Sequence, residues 1–204
     1  FSFAGLKKDN SVVVWGDSTS GGSMSSIFPS GSSINNNCID IYSNEYAFAA
    51  MLRDSDTNAL SIVTWGMSNY GGSISSSINQ DIVTVEGSSQ GFVAIKKTGS
   101  LVKWGTGENS TDYTTSSTSS MRSIFSNTLN FAMIRNSFAL AYVEAKMGGT
   151  APNPAVTTDM RIVFSSSSNF AAINGSGRVC VWGDQTAGGI NYTTNSVYQY
   201  DDTN

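Results

Sequence analysis

Short apolar runs separated by clusters of Ser, Thr, Asn and Gly recur along the whole chain. In residues 12–15 both alternating sets of side chains are apolar, which predicts a strand that is buried on both of its faces. The polar segments 7–11, 96–100 and 174–178 contain Asn or Gly, which tolerate positive φ and suit hairpin turns. Because the runs are rich in β-branched and aromatic residues, the pattern predicts an all-β chain.

The apolar runs belong to an internal repeat. The phrase VVVWGDSTSGG at residues 12–22 returns almost unchanged as VCVWGDQTAGG at residues 179–189. A column of phenylalanines precedes the tryptophan column at Phe3, Phe48, Phe92, Phe131 and Phe170. In the long interval between the last two Trp-Gly pairs we place a tyrosine at the tryptophan position. The sequence therefore predicts repeats of about 40 residues. They are five in number, with anchors at Trp15, Trp65, Trp104, Tyr142 and Trp182.

The pattern predicts three strands in each repeat, and for the first repeat the two ends of the chain supply them together. An apolar residue ten positions before each phenylalanine marks a first strand, and for the first repeat this strand falls at residues 197–200. Small sheets arranged radially bury both faces of each sheet. We expect one domain, residues 1–204, that is a β-propeller of five three- to four-stranded blades. Pairing of residues 197–200 with the blade formed by residues 1–15 closes it. The alternative is a fragment of a longer repeat array.

The phrases VVVWGD and LVKWG, each followed by glycine a few residues later, resemble a known repeat. It is the repeat of the regulator of chromosome condensation family and of the related beta-lactamase inhibitor propellers. The resemblance covers all five units and implies a binding scaffold rather than an enzyme. Members of the family characteristically have seven blades and a Gly-Gln-Leu-Gly ending that this chain lacks. The resemblance therefore does not carry nucleotide exchange over to this chain.

Composition narrows the possible partners. The 204 residues include 11 basic and 15 acidic ones, for a net charge of −4, and the basic residues form no run. Phosphate binding needs clustered Lys and Arg, so we expect no nucleic-acid partner. No apolar stretch approaches the length needed to cross a bilayer, so we expect no membrane insertion. The chain begins without Met, which is compatible with a processed or trimmed product.

The sequence offers few groups for catalysis. It contains no histidine, which excludes Ser-His-Asp and Cys-His arrangements and removes the usual general base near neutral pH. Asp17 and Asp184 both follow Trp-Gly and would be neighbours in a closed ring, where paired carboxylates can cleave glycosidic bonds. The alternative is that each aspartate stabilises its own turn through backbone hydrogen bonds. We favour the second interpretation and expect no enzyme and no cofactor.

Two further sets of residues suggest metal or thiol chemistry. Asp54, Asp56 and Asn58 alternate in the manner of calcium ligands. The later Gly and Glu of a helix-loop-helix calcium site are missing, so an enlarged hairpin is the favoured interpretation. Cys38 and Cys180 occupy columns filled elsewhere by apolar residues. We expect both to be buried and to form no disulfide.

Binding residues are expected in the segments that follow Trp-Gly, because they vary on a constant frame. These candidates are Asp17, Ser18, Asn69, Tyr70, Glu108, Asn109, Asp184 and Gln185. Glycosylation sequons begin at Asn109, Asn174 and Asn191 and favour an extracellular or cell-surface location.

Three binding functions are compatible with this pattern. The favoured one is a non-catalytic, extracellular module that binds a protein partner or assembles with itself. The alternative is a glycan-binding lectin whose repeated weak sites act through avidity. The third is a protein inhibitor, which needs an aromatic loop face such as Tyr70, Tyr113 and Tyr192 would provide.

Overall fold

A computed structural model of the chain describes residues 1–24, 34, 37–105, 113–115, 121–128, 130–138, 140–143 and 158–187. The chain divides into two compact units, Phe1–Ser117 and Thr118–Asn204. All regular structure among the described residues is β-strand or short 3-10 helix, as the sequence predicts. No helix in this part of the chain has the length and hydrophobicity needed to cross a membrane.

The first unit contains three small antiparallel sheets. The first sheet pairs β1 (Ser2–Leu6) with β2 (Val12–Gly16). The second has β3 (Cys38–Ser43), β4 (Ala47–Arg53) and β5 (Leu60–Gly66). The third has β6 (Ile82–Ser88), β7 (Gly91–Lys96), β8 (Leu101–Trp104) and β9 (Tyr113–Thr115). Strands that are consecutive in the chain are neighbours in the sheet, which is why each repeat folds as a local meander.

The second unit contains two three-stranded antiparallel sheets. One is formed by β10 (Met121–Ser126), β11 (Phe131–Arg135) and β12 (Leu140–Val143). The other is formed by β13 (Met160–Ser165), β14 (Asn169–Asn174) and β15 (Val179–Gly183). The three predicted strands are thus confirmed in the second to fifth repeats. The strand predicted at residues 197–200 lies outside the described residues.

The phenylalanine and tryptophan columns face each other across a hairpin. Phe48 pairs with Trp65 and Phe92 pairs with Trp104, and in each pair the rings stack with centroids 5.3 Å apart. The same pairing joins Phe3 to Trp15 and Phe170 to Trp182. The hairpin between the two columns therefore turns them into a stacked aromatic pair in each of these sheets, including the second, whose hairpin is longer.

The fourth repeat departs from the prediction. Phe131 pairs with Val143, whereas Tyr142 pairs with Ala132. Tyr142 therefore does not occupy the tryptophan position, and its assignment as the fourth anchor is wrong. The β11–β12 hairpin has the same length as the hairpins of the first, third and fifth repeats, so the register falls on Val143.

Strand β4 of the second sheet is buried on both of its faces, as predicted for sheets packed between neighbours. In β4 the Ala47, Ala49 and Met51 side chains belong to a cluster with the third sheet. The intervening Phe48 and Ala50 belong to a cluster with Val12 and other residues that precede β3. Alanines between the large residues let neighbouring sheets approach closely, which is how small sheets share one core.

The two cysteines behave as predicted. Cys38 and Cys180 are both buried, and neither forms a disulfide. Burial raises the pKa of the Cys38 thiol and raises that of Cys180 to about 11. Both thiols are therefore protonated at neutral pH and act as small apolar core groups.

Candidate functional site: the turns after the tryptophans

The segment that follows the Trp-Gly pair folds into a single 3-10 turn in the first, second and fifth repeats. In the first repeat this turn is Ser18–Ser20, between Gly16 and Gly21, whose φ values are 107° and 96°. The second repeat copies it at Ser68–Tyr70, followed by Gly71 with φ 98°. Positive φ is open to glycine without steric cost, so the repeated glycines determine the path of the turn.

The turns of the first and second repeats are also hydrogen-bonded to the sheet that follows each of them. The Gly21 carbonyl accepts a hydrogen bond of 3.0 Å from Trp65 Nε1, and the Gly71 carbonyl accepts one of 3.2 Å from Trp104 Nε1. A Cβ atom at Gly71 would lie 2.6 Å from Phe92 Cδ2, so the turn backbone rests directly on the aromatic pair. The residues that follow the tryptophans are therefore presented on a rigid frame.

Asp17 and Asp184 stabilise their turns. Asp17 Oδ1 accepts hydrogen bonds from the backbone N–H and the hydroxyl of Thr19, at 2.8 and 2.7 Å. Asp184 makes the same two bonds with Thr186. These hydrogen bonds lower the pKa of both carboxyl groups, so both remain ionised near neutral pH. This geometry supports the turn-stabilising interpretation.

Two tyrosines lie together at the end of the second sheet where the Trp65-Gly66 turn begins. The rings of Tyr46 and Tyr70 have centroids 4.3 Å apart and are tilted by 35°. Asn44 holds both, because its Nδ2 donates to the Tyr70 carbonyl at 2.7 Å and its Oδ1 accepts from the Tyr46 N–H at 2.8 Å. Both rings are half-buried, and Asn69 and Glu45 are exposed beside them in the sequence.

Tyr46 was missed by the sequence analysis. Its signal is its place two residues before Phe48, a column in which the first repeat also carries an aromatic residue, Phe1, before Phe3. Only the folded hairpin and turn bring Tyr46 next to Tyr70, so the pair itself has no local sequence pattern.

The other predicted binding residues lie in separate elements or outside the described residues. Ser18 is exposed in the first turn, near Asp17. Gln185 begins a 3-10 helix, Gln185–Ala187, and Tyr113 begins β9. Some predictions lie outside the described residues, namely Glu108, Asn109, Asn191 and Tyr192.

The predicted calcium ligands form a tight turn. Asp54 Oδ1 accepts hydrogen bonds from the N–H groups of Asp56 and Thr57, at 3.1 and 2.8 Å, and from the Thr57 hydroxyl at 2.7 Å. These bonds lower the pKa of the Asp54 carboxyl. Asn58 follows with φ 57°, typical of a hairpin turn. Within the described ranges, no three His, Cys, Asp or Glu side chains gather as a metal-binding group.

The sequon at Asn174 lies in the β14–β15 hairpin. Asn174 Oδ1 accepts hydrogen bonds from the Ser176 hydroxyl at 2.8 Å and from the Arg178 N–H at 2.9 Å. Residues 175–178 are exposed. Glycosylation at this asparagine stays a prediction.

One face of the first sheet is exposed, contrary to the prediction that residues 12–15, which form β2, are buried on both faces. Phe3 is 55% exposed and Trp15 51%, whereas Trp65 and Trp104 are fully buried. The Phe3 and Trp15 rings still stack, with centroids 5.6 Å apart. Adjacent exposed apolar side chains of this kind often mark an interaction surface.

The fold is similar to β-propellers of known structure. The CRINKLY WD40 ectodomain of the Arabidopsis thaliana receptor kinase ACR4 matches with a TM-score of 0.57 and 15% identity, over 90% of this chain and 65% of that one. Yeast RCC1 (Prp20), solved with Kap60 bound, matches with a TM-score of 0.51 and 11% identity, over 89% of this chain and 54% of that one. The receptor kinase CR4 ectodomain of Physcomitrella patens matches with a TM-score of 0.51 and 10% identity, over 89% and 49%.

The chain thus spans about half to two thirds of the length of these structures. No protein-family model matches the sequence, and no curated protein matches it either. Identities this low establish the fold alone: an all-β chain of small antiparallel sheets of the β-propeller type.

Proposed function

We propose that this chain is a non-catalytic, extracellular β-propeller module that binds a protein partner, or assembles with itself, through the turns that follow the tryptophans. The observation that carries the proposal is the Tyr46–Tyr70 pair, fixed by Asn44 at the end of a rigid sheet. Tyrosines offer a large contact area at low entropic cost and are enriched in interfaces.

Further observations support this proposal. Yeast RCC1, whose fold resembles this chain, has been solved with Kap60 bound to it. The ionised, turn-bound state of Asp17 and Asp184 leaves no proton donor on either side chain near neutral pH. The sequon in the exposed β14–β15 hairpin suits an extracellular location.

The double variant Tyr46→Ser/Tyr70→Ser tests the tyrosine pair. Wild-type protein immobilised on beads is expected to retain a partner protein from its native extract, or to associate with itself in sedimentation velocity. The double variant is expected to lose that interaction, and Thr98→Ala, an exposed change at the other end of the third sheet, is expected to keep it. Equal binding by all three proteins would contradict the proposal.

A lectin is the second candidate, because aromatic rings beside the exposed Asn69 and Glu45 also suit a sugar. A glycan array probed with the wild type, the tyrosine double variant and Thr98→Ala distinguishes a lectin from a protein-binding module. Binding of free glycans that is lost only in the tyrosine double variant would favour the lectin. A blank array together with retained protein binding would exclude it.

We also propose that the repeats close into a five-blade ring. Gly188 occupies the place in VCVWGDQTAGG that Gly21 occupies in VVVWGDSTSGG. Gly21 rests on the aromatic pair of the following repeat, and the first repeat has the exposed pair Phe3–Trp15. In a closed ring, Gly188 would cover that pair and residues 197–200 would add the missing strand to β1 and β2.

Hydrogen exchange of the tryptophan indole N–H groups, followed by NMR, tests ring closure. In a closed ring the Trp15 indole N–H would donate to the Gly188 carbonyl, and it is expected to exchange as slowly as the buried, hydrogen-bonded Trp65 indole. Gly188→Ala is expected to accelerate exchange at Trp15 and leave Trp65 unchanged. Fast exchange at Trp15 in the wild-type protein would show that the ring is open.

A further inference from the structure

The β11–β12 hairpin places an aromatic residue where the other repeats place a small one. Phe138 has φ 60°, in the left-handed region. The corresponding hairpin residues are Asn10, Asn58, Gly99 and Gly177, all with positive φ. A bulky side chain in this conformation is an outlier, because it costs about 1–3 kcal/mol that Gly or Asn largely avoids.

The left-handed turn itself does not require the aromatic ring. The Phe138 carbonyl accepts a hydrogen bond of 2.8 Å from the Met160 N–H, at the start of the next sheet. In the first repeat, the Asn10 carbonyl makes the same link to the Cys38 N–H at 3.1 Å. Asparagine therefore supports this backbone connection, and the phenylalanine ring needs another explanation.

Two arginines contact that ring from two different sheets. The guanidinium carbons of Arg122 and Arg161 lie 4.9 and 4.8 Å from the Phe138 ring centroid. Each arginine is the second residue of its strand, where the register shifts by a bulge. Bulges re-aim side chains, and the same bulge carries Ile39 and Val83 in the first unit. The sequence thus departs from its repeat at three positions that meet in space.

The two guanidinium groups differ in their ion pairing. Arg161 pairs with the Asp159 carboxylate at 2.8 Å, so the cluster already contains a guanidinium–carboxylate contact. Arg122 is exposed and has no ion-pair partner among the described residues. A guanidinium that packs over an aromatic ring can still donate two parallel hydrogen bonds from its N–H edge to a planar carboxylate.

The surroundings are positively charged. The second unit, Thr118–Asn204, has four arginines, and all four lie at the hairpin ends of its two sheets: Arg122, Arg135, Arg161 and Arg178. The carboxylate described at these ends is Asp159, whereas Asp184 lies at the Trp-Gly end. A local excess of positive charge on a chain of net charge −4 favours an acidic partner.

We propose that Arg122, Phe138 and Arg161 form a binding site for a carboxylate group of an acidic protein segment. Phe138 orients the two guanidinium groups, Asp159 holds Arg161, and Arg122 receives the incoming carboxylate. The site lies at the opposite end of the strands from the Trp-Gly turns, so it does not depend on the tyrosine pair.

Fluorescence anisotropy with a labelled hexaglutamate peptide at low ionic strength tests the site, with hexaglutamine as the control peptide. Arg122→Gln is expected to weaken hexaglutamate binding by about tenfold or more, since a charge-assisted hydrogen bond is lost. Arg178→Gln makes the same charge change on the neighbouring hairpin and is expected to weaken binding by no more than about twofold. Equal losses in the two variants would indicate diffuse charge and overturn the proposal.

The variant Phe138→Gly tests whether the Phe138 ring serves binding or only stabilises the fold. Glycine suits the left-handed conformation, so the Tm of the variant is expected to equal or exceed that of the wild type while hexaglutamate binding falls as in Arg122→Gln. A lower Tm with unchanged binding would make the ring a structural element and overturn the proposal. Inorganic phosphate that binds in an Arg122-dependent manner where hexaglutamate does not would overturn the carboxylate assignment.

Discussion

Replacing Trp104 with alanine is expected to destabilise the first unit by about 3–5 kcal/mol. The Trp104 side chain is fully buried, stacks on Phe92 with ring centroids 5.3 Å apart, and donates its indole N–H to the Gly71 carbonyl at 3.2 Å. Truncation removes apolar contact, leaves a cavity and deprives a carbonyl in the core of its donor. Urea denaturation followed by circular dichroism measures the change in unfolding free energy.

Two control variants divide this effect into its parts. Trp104→Phe keeps most of the ring volume and removes the indole N–H, so it is expected to cost about 1–2 kcal/mol. Val83→Ala, a change at a residue that is 54% exposed in the same unit, is expected to cost less than about 0.5 kcal/mol. A loss for Trp104→Ala no larger than that for Val83→Ala would contradict the assignment of the tryptophan column to the core.

The repeat and its strands were predictable because they follow from local rules. The phenylalanine and tryptophan columns are separated by one hairpin, so they stand opposite each other whenever that hairpin keeps its length. The glycines after Trp-Gly likewise announce a turn with positive φ. Such information is contained in neighbouring residues and needs no knowledge of the tertiary fold.

The fourth repeat shows where this reasoning fails. The aromatic side chain of Tyr142 predicts that it is the anchor, but it lies one position before Val143, the residue that pairs with Phe131. A shift of one residue turns a side chain to the other face of the sheet, so hairpin length is a stronger guide than residue type.

Both proposed sites depend on contacts between residues that are distant in the sequence. The sequence showed no basic run because Arg122 and Arg161 belong to different repeats, yet both contact one ring. Tyr46 and Tyr70 belong to one repeat but are joined only when the turn folds back on the sheet. The sequence signal for the second site is a departure from the repeat, because Phe138 stands at a position that holds Asn or Gly in the other repeats.

Gly71→Ala is expected to destabilise the first unit by about 2–5 kcal/mol, because steric overlap adds to backbone strain. Gly71 has φ 98°, and a Cβ atom there would lie 2.6 Å from Phe92 Cδ2 and 3.4 Å from Trp104 Cδ1. Phe92 is fully buried, so its ring cannot move aside without disturbing the core. Denaturant unfolding of the variant and the wild type measures the loss.

Two comparisons separate the overlap from the strain. Gly177→Ala places a Cβ atom at φ 79° with nothing within 4 Å, so it is expected to cost only about 1 kcal/mol of strain. Phe92→Leu shortens the obstructing ring, so Gly71→Ala/Phe92→Leu is expected to cost less than the sum of the two single changes. If the effects of Gly71→Ala and Phe92→Leu simply add, and Gly71→Ala costs no more than Gly177→Ala, backbone strain alone explains the glycine. That result would contradict the tight contact between Gly71 and the Phe92 and Trp104 rings. The contact would then not hold Tyr70 in a fixed position.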